Sequence, residues 1–178
     1  MQISSADLWD RIADEAARES PLWGESLVSS SEREQEPVFS PLANERYAVG
    51  LETIYEGYLL HYGRPRLFGP RDRDTGLLLG DYLYAHGLVH VAAQESVDAV
   101  ADLSALISLC AQLRAEGRDG DGAVWAATAA LLGEGALDDA RAAARDRADV
   151  RPLLELAQKA AGAEAVERAL AAHARKVG

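Results

Sequence analysis

Asp81 lies inside "LLLGDYLYAHGLVHVA" (77–92), a run that is apolar on nearly every side of a helix. A carboxylate in such a setting costs several kcal/mol unless it is paired or hydrogen-bonded. Buried hydrogen bonding that pins a neighbouring helix is therefore the expected role of Asp81. The same run carries His86 and His90 at i, i+4, a spacing that puts two imidazoles on one helix face and suits a metal ion. No cysteine or carboxylate near them in the sequence completes the set, so no metal is assigned. His61 and His173 are too scattered to extend it. The lone Cys110, in "LSALISLCAQL", reads as a buried, inert thiol. No Gly-rich phosphate loop and no G-x-S-x-G nucleophile turn is present.

The elements that carry these residues read as helices throughout. Alanine and leucine are abundant, and β-branched residues never alternate, so an all-α class is expected. Helices are expected at about 5–18, 41–62, 75–93, 96–116, 123–132, 137–147, 150–161 and 163–177. Ser40-Pro41 is a good helix start, and Gly63 with Pro65 a good stop. Between the first two helices, "ESPLWGESLVSSSEREQEPVFSP" is acidic and rich in serine and proline. It reads as a partly unstructured linker in which Trp23, Leu27, Val38 and Phe39 pack down. The chain thus divides into a first helix with its linker, 1–39, and a helical domain, 40–178.

With 178 residues, 48% of them hydrophobic, the chain can bury a core. Its net charge of −11 excludes binding to a phosphate backbone as the main task. No stretch reaches the roughly 20 apolar residues of a membrane span. One cysteine and no secretory leader point to a cytoplasmic protein.

Taken together, "GLETIYEGYLLHYGRPRLFGPRDRDTGLLLGDYLYAHGLVHVA" resembles the trans-isoprenyl (polyprenyl) diphosphate synthases. That family carries an Asp-Asp-x-x-Asp motif on a helix, an arginine pair, Gly-x-Pro, a loop, and an apolar helix with "GD-x-L". Here Gly63-Arg64-Pro65 matches Gly-x-Pro, and Gly80-Asp81-Tyr82-Leu83 matches "GD-x-L". The resemblance covers about 41–116 and implies a truncated isoprenoid-synthase-like helical bundle.

By the family's spacing, the magnesium-binding aspartates fall on Glu52, Thr53 and Glu56, and the arginine pair on His61 and Tyr62. Thr53 removes one carboxylate, and neither His61 nor Tyr62 carries a fixed positive charge. Glu52 and Glu56 keep one helix face, which reads as a weak magnesium site, a solvated face or a partner surface. Tyr47, five positions before Glu52, reads as the floor of a residual cavity or as plain core. No second aspartate motif follows at the family's position; Asp138, Asp139 and Asp146 do not match it.

The resemblance therefore implies a pseudoenzyme of isoprenoid biosynthesis with no catalytic residue of its own and no cofactor, Mg2+ being held by a catalytic partner. The expected assembly is a homodimer, or a heterodimer with a full-length prenyl diphosphate synthase, through the helices at 75–93 and 96–116. Leu79, Leu83, Leu106 and Leu109 are the expected interface residues. The alternatives are a small self-sufficient prenyltransferase, a module that binds an isoprenoid or lipid, and a homodimeric scaffold.

Overall fold

A computed structural model describes residues 5–177. The described residues form nine α-helices: α1 (Ser5–Glu19), α2 (Pro21–Glu25), α3 (Ala48–Tyr62), α4 (Arg73–Ala92), α5 (Val97–Ala115), α6 (Asp121–Ala130), α7 (Asp138–Arg147), α8 (Arg151–Ala161) and α9 (Ala163–Val177). The all-α expectation holds. No helix among the described residues is long and apolar enough to cross a membrane.

Helix α3 is the axis of the molecule. Every residue from Val49 to Leu59 is buried, Glu52, Thr53 and Glu56 included. α3 packs along α4, touches α1 near its start, and meets α9 at its end. Gly63 closes α3 with its N–H on the Leu59 carbonyl, and the next N–H, of Arg64, donates to Lys176 of α9. A second, smaller core joins Leu8, Trp9 and Ile12 of α1 to Leu67, Phe68, Leu79 and Leu83.

Two local expectations need correction. Ser40-Pro41 starts a short 3-10 turn (Ser40–Leu42), not the long helix. Ala43 is extended, and the Asn44 side chain then caps a second 3-10 turn (Glu45–Tyr47) by accepting from the Arg46 N–H, so α3 begins only at Ala48. The segment before it, expected to be partly unstructured, is tied down along its length. Val28 N donates to Leu67 O, Glu34 N to Arg66 O and Gly69 N to Ser26 O, while Val38 and Phe39 enter the main core.

The contact of α3 with α4 rests on glycines spaced seven apart on both helices: Gly50 and Gly57, Gly80 and Gly87. A β-carbon on Gly57 would stand 2.8 Å from the Gly80 carbonyl oxygen. Gly80 and Gly87, with Gly76, Leu79, Leu83 and Val91, form the inward face of α4.

That rotation of α4 overturns the expected burial of Asp81. Its side chain is 70% exposed, with Oδ1 3.1 Å from His61 Nε2. The same rotation puts Leu79 and Leu83 in the chain's own core, where Leu106 and Leu109 of α5 also lie. All four expected interface residues are thus taken up inside one chain.

Candidate functional site

The positions where the resemblance places magnesium form a closed ionic cluster. Glu52 and Glu56, one turn apart on α3, are both fully buried, and so is Arg66 from the loop after α3. Arg66 Nη1 lies 2.6 Å from Glu52 Oε2, and its Nε lies 3.0 Å from Glu56 Oε2. The remaining oxygens serve the backbone: Glu52 Oε1 accepts from Val38 and Ser40, and Glu56 Oε1 from Arg66 and Leu67. The guanidinium is also covered by the Trp9 ring, 4.6 Å to its centroid, and by Tyr55 at 5.0 Å. Burial by itself would lower the Arg66 pKa, but the two carboxylates outweigh it and raise it, so Arg66 stays charged.

All four carboxylate oxygens are engaged and a cation already stands between them. These residues, so arranged, do not fit a magnesium ion. Nor do they make a solvated face. Their chemistry is structural: they fasten the segment before α3 and the loop after it onto one turn of α3. Thr53 is buried and donates to the Val49 carbonyl at 2.7 Å. His61 stacks on Tyr84 at 5.2 Å, and Tyr62 packs on Tyr58 at 5.1 Å. Tyr47 is 1% exposed, and its hydroxyl accepts from Arg46 at 2.6 Å. Gly63 and Pro65 lead directly into the Arg66 loop, which makes them the turn that delivers the arginine.

A second buried cluster centres on Asp121 at the start of α6. Its Oδ2 accepts from Tyr58, from Arg114 Nη2 at 2.5 Å, and stands 3.2 Å from His173 Nε2. Tyr55 Oη lies 2.9 Å from His173 Nδ1. Around it Phe39, Tyr55, Tyr58 and Trp125 make a mutually packed aromatic group, with ring centroids 5.0–6.0 Å apart. Burial would raise the Asp121 pKa, yet bonds from His173 and Tyr58 and the charge of Arg114 hold it well below the usual carboxylate range. Burial, followed by the bond to Asp121, pushes Tyr58 the other way, well above the ordinary phenol value. This cluster fills the middle of the bundle and ties α3, α5, α6 and α9 together.

The third grouping supplies a donor that is distant in the sequence. His86 and His90, set aside for want of a third donor, meet Glu15 of α1. Their Nε2 atoms lie 2.8 and 2.6 Å from the same oxygen, Glu15 Oε2. Burial would raise the Glu15 carboxyl, but Arg11, His86 and His90 outweigh it and hold its pKa at about 2.

Cys110 is 1% exposed, and burial raises its thiol well above the ordinary value, as expected of an inert core residue. Asp138 is almost wholly exposed and does not join the other groups.

The partners that sequence reasoning missed are Arg66, Asp121 and Glu15. Arg66 left one trace, a basic residue directly before the apolar pair Leu67-Phe68; the other two left none.

The sequence matches no known family model, and no curated protein or solved structure is significantly similar to it. The likeness to prenyl diphosphate synthases rests on the quoted motifs alone.

Proposed function

We propose that this chain is a non-catalytic, prenyl-synthase-like subunit that pairs with a catalytic polyprenyl diphosphate synthase and modulates it. The observation that carries the reading is Arg66 set between Glu52 and Glu56, with every carboxylate oxygen already engaged. Ionising an allylic diphosphate needs metal and cationic groups that stabilise the leaving pyrophosphate. Here the positions aligned with those groups are occupied by a structural ion cluster and by stacked aromatic side chains.

The surface left for a partner is the outward stripe of α4. Leu78 and Val89 are 59% and 65% exposed, with exposed Ala85 between them on the same face. Val97, at the start of α5, is 83% exposed and extends the apolar edge.

Two assays test the reading. The pure chain, given isopentenyl and allylic diphosphates with Mg2+, forms no prenyl product. Mixed with full-length prenyl synthases of its own organism, it comigrates with one of them and changes its rate or product length. Val89→Glu abolishes both effects without unfolding the chain. Prenyl product from the pure chain would overturn the reading, and so would indifference to every such synthase.

A further inference from the structure

We propose that Glu15, His86 and His90 form a binding site for a divalent transition-metal ion, Zn2+ in the first place, that clamps α1 to α4. The ligand atoms of the three residues lie within 4.8 Å of one another. Bonds of about 2.0–2.1 Å in a tetrahedral site place neighbouring ligands roughly 3.3 Å apart. The two imidazole nitrogens, now 2.8 and 2.6 Å from Glu15 Oε2, must retreat from it by roughly 0.5–0.7 Å to admit the ion. Two imidazoles and one carboxylate suit zinc and its borderline neighbours rather than Mg2+ or Ca2+, which take oxygen donors. The three side chains are 15–26% exposed, so an ion can reach them and water can take the fourth position.

The surroundings hold the ligands in place. His86 stacks on Tyr82 at 5.3 Å, and Tyr82 stacks on Trp23 at 5.9 Å, which fixes the plane of the imidazole. Being one helical turn apart, the two histidine rings meet edge to face at 4.8 Å. Gly87, between them, holds α4 against α3 and so sets the height at which both rings meet α1.

Arg11 is the competitor. Its Nε donates to Glu15 Oε1 at 2.8 Å, which leaves Oε2 to the histidines. Its Nη2 stands 3.3 Å from His90 Nδ1. Binding through Nε2 places the proton of His90 on Nδ1, where it opposes the arginine's own hydrogens. Arg11 must then turn away, and with its side chain 45% exposed it has water to turn into.

The test is titration of the chelator-treated full chain with Zn2+ by calorimetry and with Co2+ by visible absorption. One equivalent should bind, the Co2+ complex should show the bands of a four-coordinate ion, and the melting temperature should rise with added Zn2+. His86→Gln and His90→Gln should each weaken binding at least tenfold, and Arg11→Ala should tighten it several-fold. Glu15→Gln, if it folds, should behave like the histidine variants; if it does not, the two histidine variants and Arg11→Ala still decide. The absence of a one-to-one complex in the wild type would overturn the proposal. Zn2+ binding of equal strength in His86→Gln, His90→Gln and the wild type would place the ion elsewhere and overturn it equally.

Discussion

A β-carbon on Gly87 would stand 2.8 Å from the carbonyl oxygen of Gly50 and 2.4 Å from Ile54 Cγ1. Alanine is worth up to about 1 kcal/mol more than glycine in a helix interior. Here that gain is set against a backbone oxygen that cannot move aside. Gly87→Ala should lose about 1–3 kcal/mol, the usual cost of forcing extra volume into a packed contact. Gly24→Ala is the control, because its added carbon meets only ordinary contacts at 3.5 Å or more. Urea titrations of the two variants should move in opposite directions or, for Gly24→Ala, not at all.

Arg66 offers a sharper separation of effects. Arg66→Met leaves two fully buried carboxylates facing each other without a cation. Breaking a buried pair from one side costs about 3–5 kcal/mol. Converting Glu52 and Glu56 to glutamine in the same chain removes the charge that arginine was balancing. The triple variant should therefore recover much of what Arg66→Met loses, even though it lacks more native groups. Chemical denaturation of the single, double and triple variants measures this coupling. Additive losses across the series would show that charge balance is not what holds the cluster.

Helix type and most helix ends were legible, since caps and stops are local. Gly63 ends α3 and Ser96 starts α5 with a side chain that accepts from Ala99, whereas α4 begins two residues before the expected Thr75, capped by Asp72. What escaped the sequence was the direction each helix faces. On α4 the large apolar residues Leu78 and Val89 look outward, while glycines face α3, so a reading by hydrophobic size turns the helix the wrong way. That is why Asp81 looked buried and Leu83 looked free for a partner. Arg66 was hidden for a different reason. Its carboxylates lie 10 and 14 residues upstream, on a helix whose burial only the packing of α1, α4 and α9 decides. The Glu15 contact with His86 and His90 spans 71 and 75 residues and has no local trace.

The corrected position of Asp81 changes what its substitution should do. Its carboxylate is mostly in water, and its one close partner is His61 Nε2 at 3.1 Å. Surface substitutions of this kind usually stay within about 0.5 kcal/mol of the parent. Asp81→Asn and Asp81→Leu should both melt close to the wild type. A large loss in Asp81→Leu alone would mean that the carboxylate is a buried hydrogen-bonding group after all.

Acid should probe the Asp121 cluster. The Asp121 carboxyl is held below its ordinary value of 3.8 by His173, Tyr58 and Arg114, against the opposing effect of burial. A group depressed in the folded state binds its proton more readily in the unfolded chain. Its contribution is thus fully present above about pH 4–5 and is lost as the pH falls through the lowered folded value. Asp121→Asn removes that contribution at neutral pH and cannot titrate. Below about pH 5 the stability gap between wild type and Asp121→Asn should narrow steadily as the pH falls through and beneath 3.8. Urea denaturation at a series of pH values reads the gap directly. A gap that widens in acid would reverse the sign, and with it the claim that Tyr58, Arg114 and His173 are arranged around an ionised aspartate.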